Sequence, residues 1–260
     1  LQEEYRNELK AFYSVLKTQD KHIRFAFLTG VTKFGKVSVF SDLNNLMDIS
    51  MDHRYNAVCG ITEEELTSYF KNEIGMLAVA HGDTEAETVD KLRARYDGYH
   101  FKEDSIGLYN PYSVLNTLAK QEYNDYWFET GTPTFLVDLL KAHNYHLPDL
   151  TQEQITGDVI NSIDSTSTNP IPVIYQSGYL TIKGYDKRFR KYRLGFPNKE
   201  VEEGFLNFLL PLYTSAGVRS PYYVDEFVKD VETGNVERFM KRLTTFFADN
   251  NYQVAGNAEL

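Results

Sequence analysis

Gly30-Val31-Thr32-Lys33-Phe34-Gly35-Lys36 has the residue types and spacing of a phosphate-binding loop, G-x-x-x-x-G-K. In such a loop backbone N–H groups cradle the phosphates, the lysine reaches their outer oxygens, and a Ser or Thr at the eighth position holds Mg²⁺. Here the eighth residue is Val37, which offers no oxygen. A phosphate cradle also needs a helix start behind it, because free N-terminal N–H groups and the helix dipole hold the anion. Lys36-Val37-Ser38-Val39-Phe40 alternates and is β-branched, so it reads as extended. Taken by itself the loop is a glycine-containing turn with two solvated lysines.

The element that would position this loop is the run Ile23–Leu28, apolar on both faces, as in the middle of a parallel sheet. No other strand of that kind lies nearby, so its sheet neighbours are expected in a longer protein. Leu1 to Lys17 reads as an amphipathic helix with Leu1, Tyr5, Leu9, Phe12 and Leu16 on one stripe. It starts without a cap, which again suggests a chain cut from something longer.

Helical signals dominate the next hundred residues. Thr62-x-x-Glu65 and Thr84-x-x-Glu87 are capping boxes, and Asn110-Pro111 and Thr132-Pro133 pair a cap with a first-turn proline. Leu66, Tyr69 and Phe70 give the buried side of the first helix; Val89, Leu92 and Tyr96 continue that of the second. The other two run to about Lys120 and Ala142. Ser162 to Asn169 is polar and marks an internal boundary, and Pro170 to Gln176 reads as a short helix ended by Gly178.

Tyr179 to Phe196 reads as a β-hairpin, or wing, with its turn at Tyr185-Asp186-Lys187-Arg188. It carries Lys183, Lys187, Arg188, Arg190, Lys191 and Arg193 against the single acid Asp186, a net +5 within a chain of −10. Such a concentration fits a phosphate backbone. The commoner meaning of such charge is a solvated edge guarded against aggregation. Helices follow at Glu200 to Tyr213, Pro221 to Glu232 and Asn235 to Ala248, before a loose tail.

The 260 residues, 42% hydrophobic and 25% charged, describe a globular chain large enough for one large or two ordinary domains. Its net charge argues against whole-surface attraction to nucleic acid or an anionic membrane. No apolar run is long enough to span a bilayer, and there is neither a signal peptide nor a starting Met. The one cysteine, Cys59, cannot build a disulfide framework or a cysteine zinc site, so a reduced, cytoplasmic setting is expected, with Cys59 small and buried. His143-x-x-His146 lacks a signalled third ligand, and no metal site is expected. Glu63 to Glu65 and Glu200 to Glu203 fall in first helical turns, where carboxylates compensate the dipole. The aromatic cluster Tyr126-Trp127-Phe128 is expected to pack elements together rather than to flank a base.

Long stretches of the chain resemble the bacterial AAA-ATPase-like family, a P-loop NTPase group often fused to a C-terminal PD-(D/E)XK nuclease-like domain. The stretches are FLTGVTKFGKVSVFSDLNNLMDISMD, YNAVCGITEEEL, RYDGYHF, LYNPYSVLNTL, DYWFETGTPTFLVDLL, IYQSGYLTIKGYD and LGFPNKEVEEGFLNFLLPLY. The resemblance implies that the phosphate loop and the Mg²⁺-binding acidic motif lie upstream of these residues, and that the nuclease lies downstream. Thr29 would then sense the γ-phosphate, with Lys33 and Lys36 near the same face. ATP and Mg²⁺ are expected for the full-length protein and not for this chain alone, which is not expected to be an active enzyme.

The fold expected is α+β and mostly helical. Residues 1–60 would form the C-terminal part of a P-loop-type α/β core, 61–165 a helical lid, and 166–250 a winged-helix-like element. The function implied is the C-terminal portion of a nucleotide-responsive regulatory module. Its partners would be the upstream ATPase half and the downstream nuclease-like domain, with no membrane. The alternative is a protein-interaction or DNA-docking module without ATPase activity, whose wing contacts come from Lys187, Arg188, Arg190, Lys191 and Arg193.

Overall fold

The structure is a computed structural model that describes residues 2–30, 46–130, 140, 154–160, 169–213, 226–227, 229–231 and 233–249. The chain divides into two units, Leu1–Glu202 and Glu203–Leu260. The fold is α+β and mostly helical, with one three-stranded antiparallel sheet among the described residues.

Helix α1, Gln2–Thr18, forms where the apolar stripe predicts it, and a 3-10 turn at Asp20–His22 ends it. Much of its stripe is exposed, with Leu16 half-buried. Tyr5 is 58% and Phe12 70% exposed, and Leu9 and Val15 are exposed with them. Ile23–Leu28 is not a strand: it joins no ladder among the described residues, and Phe25, Phe27 and Leu28 face outward. An apolar extended segment becomes a strand only when partners take up its N–H and C=O groups, and no described segment does so.

Four helices make the main core: α2, Glu63–Tyr69; α3, Lys71–His81; α4, Glu85–Tyr96; and α5, Pro111–Lys120. Both capping boxes are built. Thr62 N donates to Glu65 Oε2 at 2.9 Å and Glu65 N to Thr62 Oγ1 at 3.2 Å, with Thr84 and Glu87 repeating the exchange. Asn110 Oδ1 accepts from Tyr112 N and Ser113 N at the start of α5. Leu66, Ile74, Leu77, Leu92, Tyr96, Tyr109, Val114 and Leu118 close into one cluster. Tyr96 keeps its hydroxyl satisfied inside it, donating to Asn124 O at 2.9 Å and accepting from Thr117 Oγ1 at 2.8 Å.

Two expectations for this region fail. Tyr69 is 78% exposed rather than buried, because α2 ends there and the chain turns into α3 through Phe70. Helix α3 itself had no clear signal: Ile74, Leu77 and Ala78 are buried, but Met76 and Val79 are exposed, so apolar residues run around the helix and blur its period. Cys59 is also exposed, on a surface turn beside Val58, and not part of the core.

Beyond this block lie α6, Tyr126–Glu129; β1, Gln154–Thr156; α7, Gly157–Ile160; and α8, Ile171–Gln176. The expected stop after α8 is Gly178, at φ +86. A Cβ there would approach Trp127 Cζ2 to 3.2 Å, so the glycine serves both the left-handed turn and the indole's approach. Strand β2, Thr181–Asp186, and strand β3, Lys191–Gly195, form the hairpin, and the sheet order is β1-β3-β2. Gln154 pairs with Arg193 and Thr156 with Lys191, so β1 backs the wing. Three residues are too few for an alternating pattern, which is why β1 leaves no trace in the sequence.

The turn lies two residues later than expected. Tyr185 and Asp186 belong to β2, opposite Tyr192 and Lys191, and the turn is Lys187–Arg190. The tyrosine pair, with centroids 4.7 Å apart, extends the ladder past the expected break. Asp186 Oδ1 then accepts from Arg188 N at 2.8 Å and Phe189 N at 3.0 Å, and Arg190 closes the loop at φ +53.

Helix α9, Lys199–Tyr213, starts with Asn198 Oδ1 accepting from Val201 N at 3.1 Å. The second unit contains α10, Val236–Asp249, whose Arg242 pairs with Glu226 at 2.5 Å and Asp230 at 2.6 Å. Most of the helix expected from Thr132, of which Leu140 is helical and buried, the boundary at Ser162, much of the helix from Pro221 and the tail after Asn250 fall outside the described residues. No helix among the described residues is long and apolar enough to cross a membrane.

Candidate functional site

The wing is fixed to the helical block at its base. Thr181 Oγ1, at the first residue of β2, donates to His100 O at 3.0 Å and accepts from His100 N at 2.7 Å. His100 lies in the loop after α4, where its ring Nδ1 meets Ser105 O at 2.9 Å. A bulge between Ile182 and Gly184 interrupts the β2–β3 register, and Lys183 lies in it. The Lys183 ammonium is turned back from the wing, donating to Pro197 O at 3.1 Å. Although the residue as a whole is exposed, desolvation of the ammonium lowers its pKa, and the Asp97 carboxylate opposes that effect. Lys183 is therefore a mounting residue, and the charge at the wing tip comes from the others.

Gly98 completes the mount. Its φ is +113, and a Cβ built on it would lie 2.2 Å from Pro197 O. Only glycine allows the Asp97–His100 loop to approach the segment between β3 and α9 so closely. Asp97 beside it is half-buried, and desolvation raises its pKa.

Glu200 holds the other side of this junction, and here the expected dipole role gives way to a tertiary one. Its side chain is fully buried. Ser113 Oγ donates to its carboxylate oxygens, at 2.9 and 2.8 Å, and Trp127 N donates to Oε1 at 2.8 Å. Desolvation raises its pKa, while the hydrogen bonds from Ser113 and the Trp127 and Phe128 backbone pull it back. The first turn of α9 is thereby tied to α5 and α6. The aromatic cluster packs as expected: Trp127 and Phe128 meet Tyr179 at centroid distances of 5.3 and 5.9 Å.

At the far end of the hairpin, Lys187, Arg188 and Arg190 are exposed and Lys191 is half-buried, while Arg193, also exposed, lies mid-strand opposite Gly184. Arg193 Nη2 donates to Lys183 O at 3.2 Å, along the strand face. None of the five forms an ion pair with another described residue. One residue at the tip escaped the sequence reading. Phe189 is 59% exposed in the turn itself, with the Arg188 guanidinium carbon 5.0 Å from its ring centroid. An aromatic residue in the run Lys187-Arg188-Phe189-Arg190-Lys191 was a legible signal that the charge count passed over.

Behind the tip, burial together with the nearby Glu103 carboxylate pushes the Tyr192 hydroxyl up to about 12. Tyr192 therefore stays protonated at ordinary pH and serves as packing.

Of the loop after Leu28, Thr29 is in irregular, exposed chain, whereas Lys33 and Lys36 fall outside the described residues. A shallow groove of about 410 Å³ lies between α2, α3 and α4, lined by Lys71, Glu85, Asp90 and Arg93 among others. Arg93 is already committed there, to Glu63 at 2.7 and 2.6 Å, so the groove presents no free guanidinium to a ligand. Among the described residues no cluster of His, Cys, Asp and Glu could hold a metal ion, and His143 and His146 are outside them.

Residues 1–40 of the chain match the AAA-ATPase-like family model, described as a predicted AAA-ATPase. Over 213 residues the chain is 42% identical to a protein of Azotobacter chroococcum mcd 1 described as "Uncharacterized protein in vnfD 5'region". That alignment covers 81% of this chain and 39% of the relative, so the chain spans about two fifths of the relative's length. No solved structure matches.

Proposed function

We propose that this chain is the C-terminal portion of an AAA-type ATPase-like regulatory module, which responds to nucleotide together with an N-terminal half carrying the phosphate-binding and acidic motifs. The observation that carries this reading is a coincidence of place. The family match covers residues 1–40, and the same stretch leaves Tyr5, Phe12, Phe25 and Phe27 exposed. An apolar helix face next to an apolar segment with no ladder among the described residues is the surface an α/β core would cover. In this role Thr29, with Lys33 and Lys36, senses the γ-phosphate and does not grip the nucleotide. The helical block and the wing mount then pass the nucleotide state to a downstream nuclease-like domain by a change in packing.

The test is nucleotide binding by a longer natural protein carrying these residues. Mg²⁺-dependent ATP binding that Thr29→Ala uncouples from downstream activity is expected. The reading fails if that protein binds no ATP, or if the 260 residues alone take up Mg·ATP tightly through Lys36.

A second reading is favoured by the five wing cations, which have no acidic partner among the described residues. In it the wing docks on nucleic acid, without ATPase activity. Binding by this chain that weakens steeply with salt and is lost on Arg190→Ala with Arg193→Ala is the expected result. Salt-insensitive binding, or none, removes it.

A further inference from the structure

Resting on the second reading above, we propose that the wing tip takes single-stranded nucleic acid, with a base stacked on Phe189 and the flanking phosphates held by Lys187, Arg188 and Arg190.

Nothing in the fold calls for an aromatic ring at this place. Asp186 closes the turn through the Phe189 backbone N–H, a contact that any residue except proline could make. The ring is 59% exposed, so it adds little to the core. Every residue adjoining it from Lys187 to Lys191 is a cation. A ring has two faces, and the Arg188 guanidinium can cover only one of them. Base stacking on an aromatic side chain, supported by neighbouring arginines, is how proteins hold single strands without reading their sequence.

Arg190 adds a second line of argument. It sits at φ +53, where glycine or asparagine would be easier to accommodate, at a cost of about 1 kcal/mol for an ordinary residue. The turn therefore carries a guanidinium where backbone chemistry favours a smaller residue. The hairpin is held at its base by the Thr181–His100 bonds, and next to the turn by the Tyr185–Tyr192 pair and the backing strand β1. The tip is thus presented in a set position, and little ordering is needed when it binds.

Chemistry selects the single strand over the duplex. Phenylalanine has no donor or acceptor with which to read base-pair edges in a groove. Base faces become available only where the stack is open. A chain of net charge −10 also repels a long polyanion, and a short local contact keeps that repulsion small.

Fluorescence anisotropy of the 260-residue chain with labelled oligothymidine, a duplex of equal length and phosphatidylserine vesicles separates the outcomes. The expected result is binding at least about tenfold tighter to the single strand than to the duplex, with Phe189→Ala losing about tenfold and Phe189→Trp retaining affinity. Arg188→Ala and Arg190→Ala should each make the salt dependence shallower, while Phe189→Ala should leave it unchanged. Equal binding to both nucleic acids, lost with the arginines but indifferent to Phe189→Ala, overturns the stacking inference and leaves the docking reading standing. Binding to vesicles alone, or to nothing, overturns both.

Discussion

The first unit contains two helical regions built on opposite terms. In α2 to α5 every predicted cap is made, and each helix turns an apolar side into a shared cluster where Leu66, Leu77, Leu92 and Tyr96 are fully buried. In α1 and residues 23–30 the apolar pattern is just as plain, yet Phe12 and Phe25 are 70% and 81% exposed. The difference shows that an amphipathic pattern specifies which face a helix will offer. Whether that face is covered depends on residues far away in sequence. The first region finds its partners within some sixty residues of itself, and the second finds none among the described residues.

Substitutions can sharpen or break this contrast. The largest effect is expected from Leu92→Ala, which removes a fully buried side chain from the block and should cost about 3 kcal/mol in chemical denaturation. A cost below about 1 kcal/mol, the range of ordinary surface changes, would mean the block is as loosely packed as α1. Gly98→Ala should cost a comparable amount, about 2–3 kcal/mol, because the new methyl meets Pro197 O while φ stays positive. The loss should be accompanied by weakened protection from hydrogen exchange along β2.

Glu200→Ala comes next, at about 2 kcal/mol, since it leaves the Trp127 N–H and the Ser113 hydroxyl buried without their acceptor. This site also predicts a pH dependence. Burial raises the folded pKa of Glu200 above its ordinary value of 4.5, so the folded state binds this proton more tightly than the unfolded state does. The contribution of Glu200 to stability therefore falls as pH rises from 4.5 through the folded value. Glu200→Gln should flatten the loss of Tm over that interval, and an unchanged pH profile would sink the assignment. The smallest effect is expected from Phe12→Ala, within about 0.5 kcal/mol in this chain. In a longer natural protein whose added residues cover α1, the same change should cost several times more, and the two regions would then behave alike.

The wing shows how far local signals carry and where they stop. Its place, its charge and its outward-facing Arg193 are evident from alternation and composition. The turn is not, because the Tyr185–Tyr192 contact that shifts it joins residues on separate strands. Phe189 was visible as a residue, but its exposure was not, since an isolated phenylalanine in a sequence is by default a core candidate. Lys183 counts toward the charge of the hairpin though not among the five contact residues, and its bond to Pro197 O turns it back from the tip.

From the amino-acid order alone came the elements whose causes are local: the Thr62, Thr84 and Asn110 caps, the stripe of α1, the stop at Gly178 and the basic hairpin. These depend on contacts three or four residues apart, or on one residue's own backbone freedom. Folding decided what depends on distant partners. Glu200 became a buried tie because Ser113 and Trp127 arrive from elsewhere in the chain to satisfy its carboxylate. Ile23–Leu28 has no ladder among the described residues, since a strand exists only where another chain segment meets its hydrogen-bonding groups.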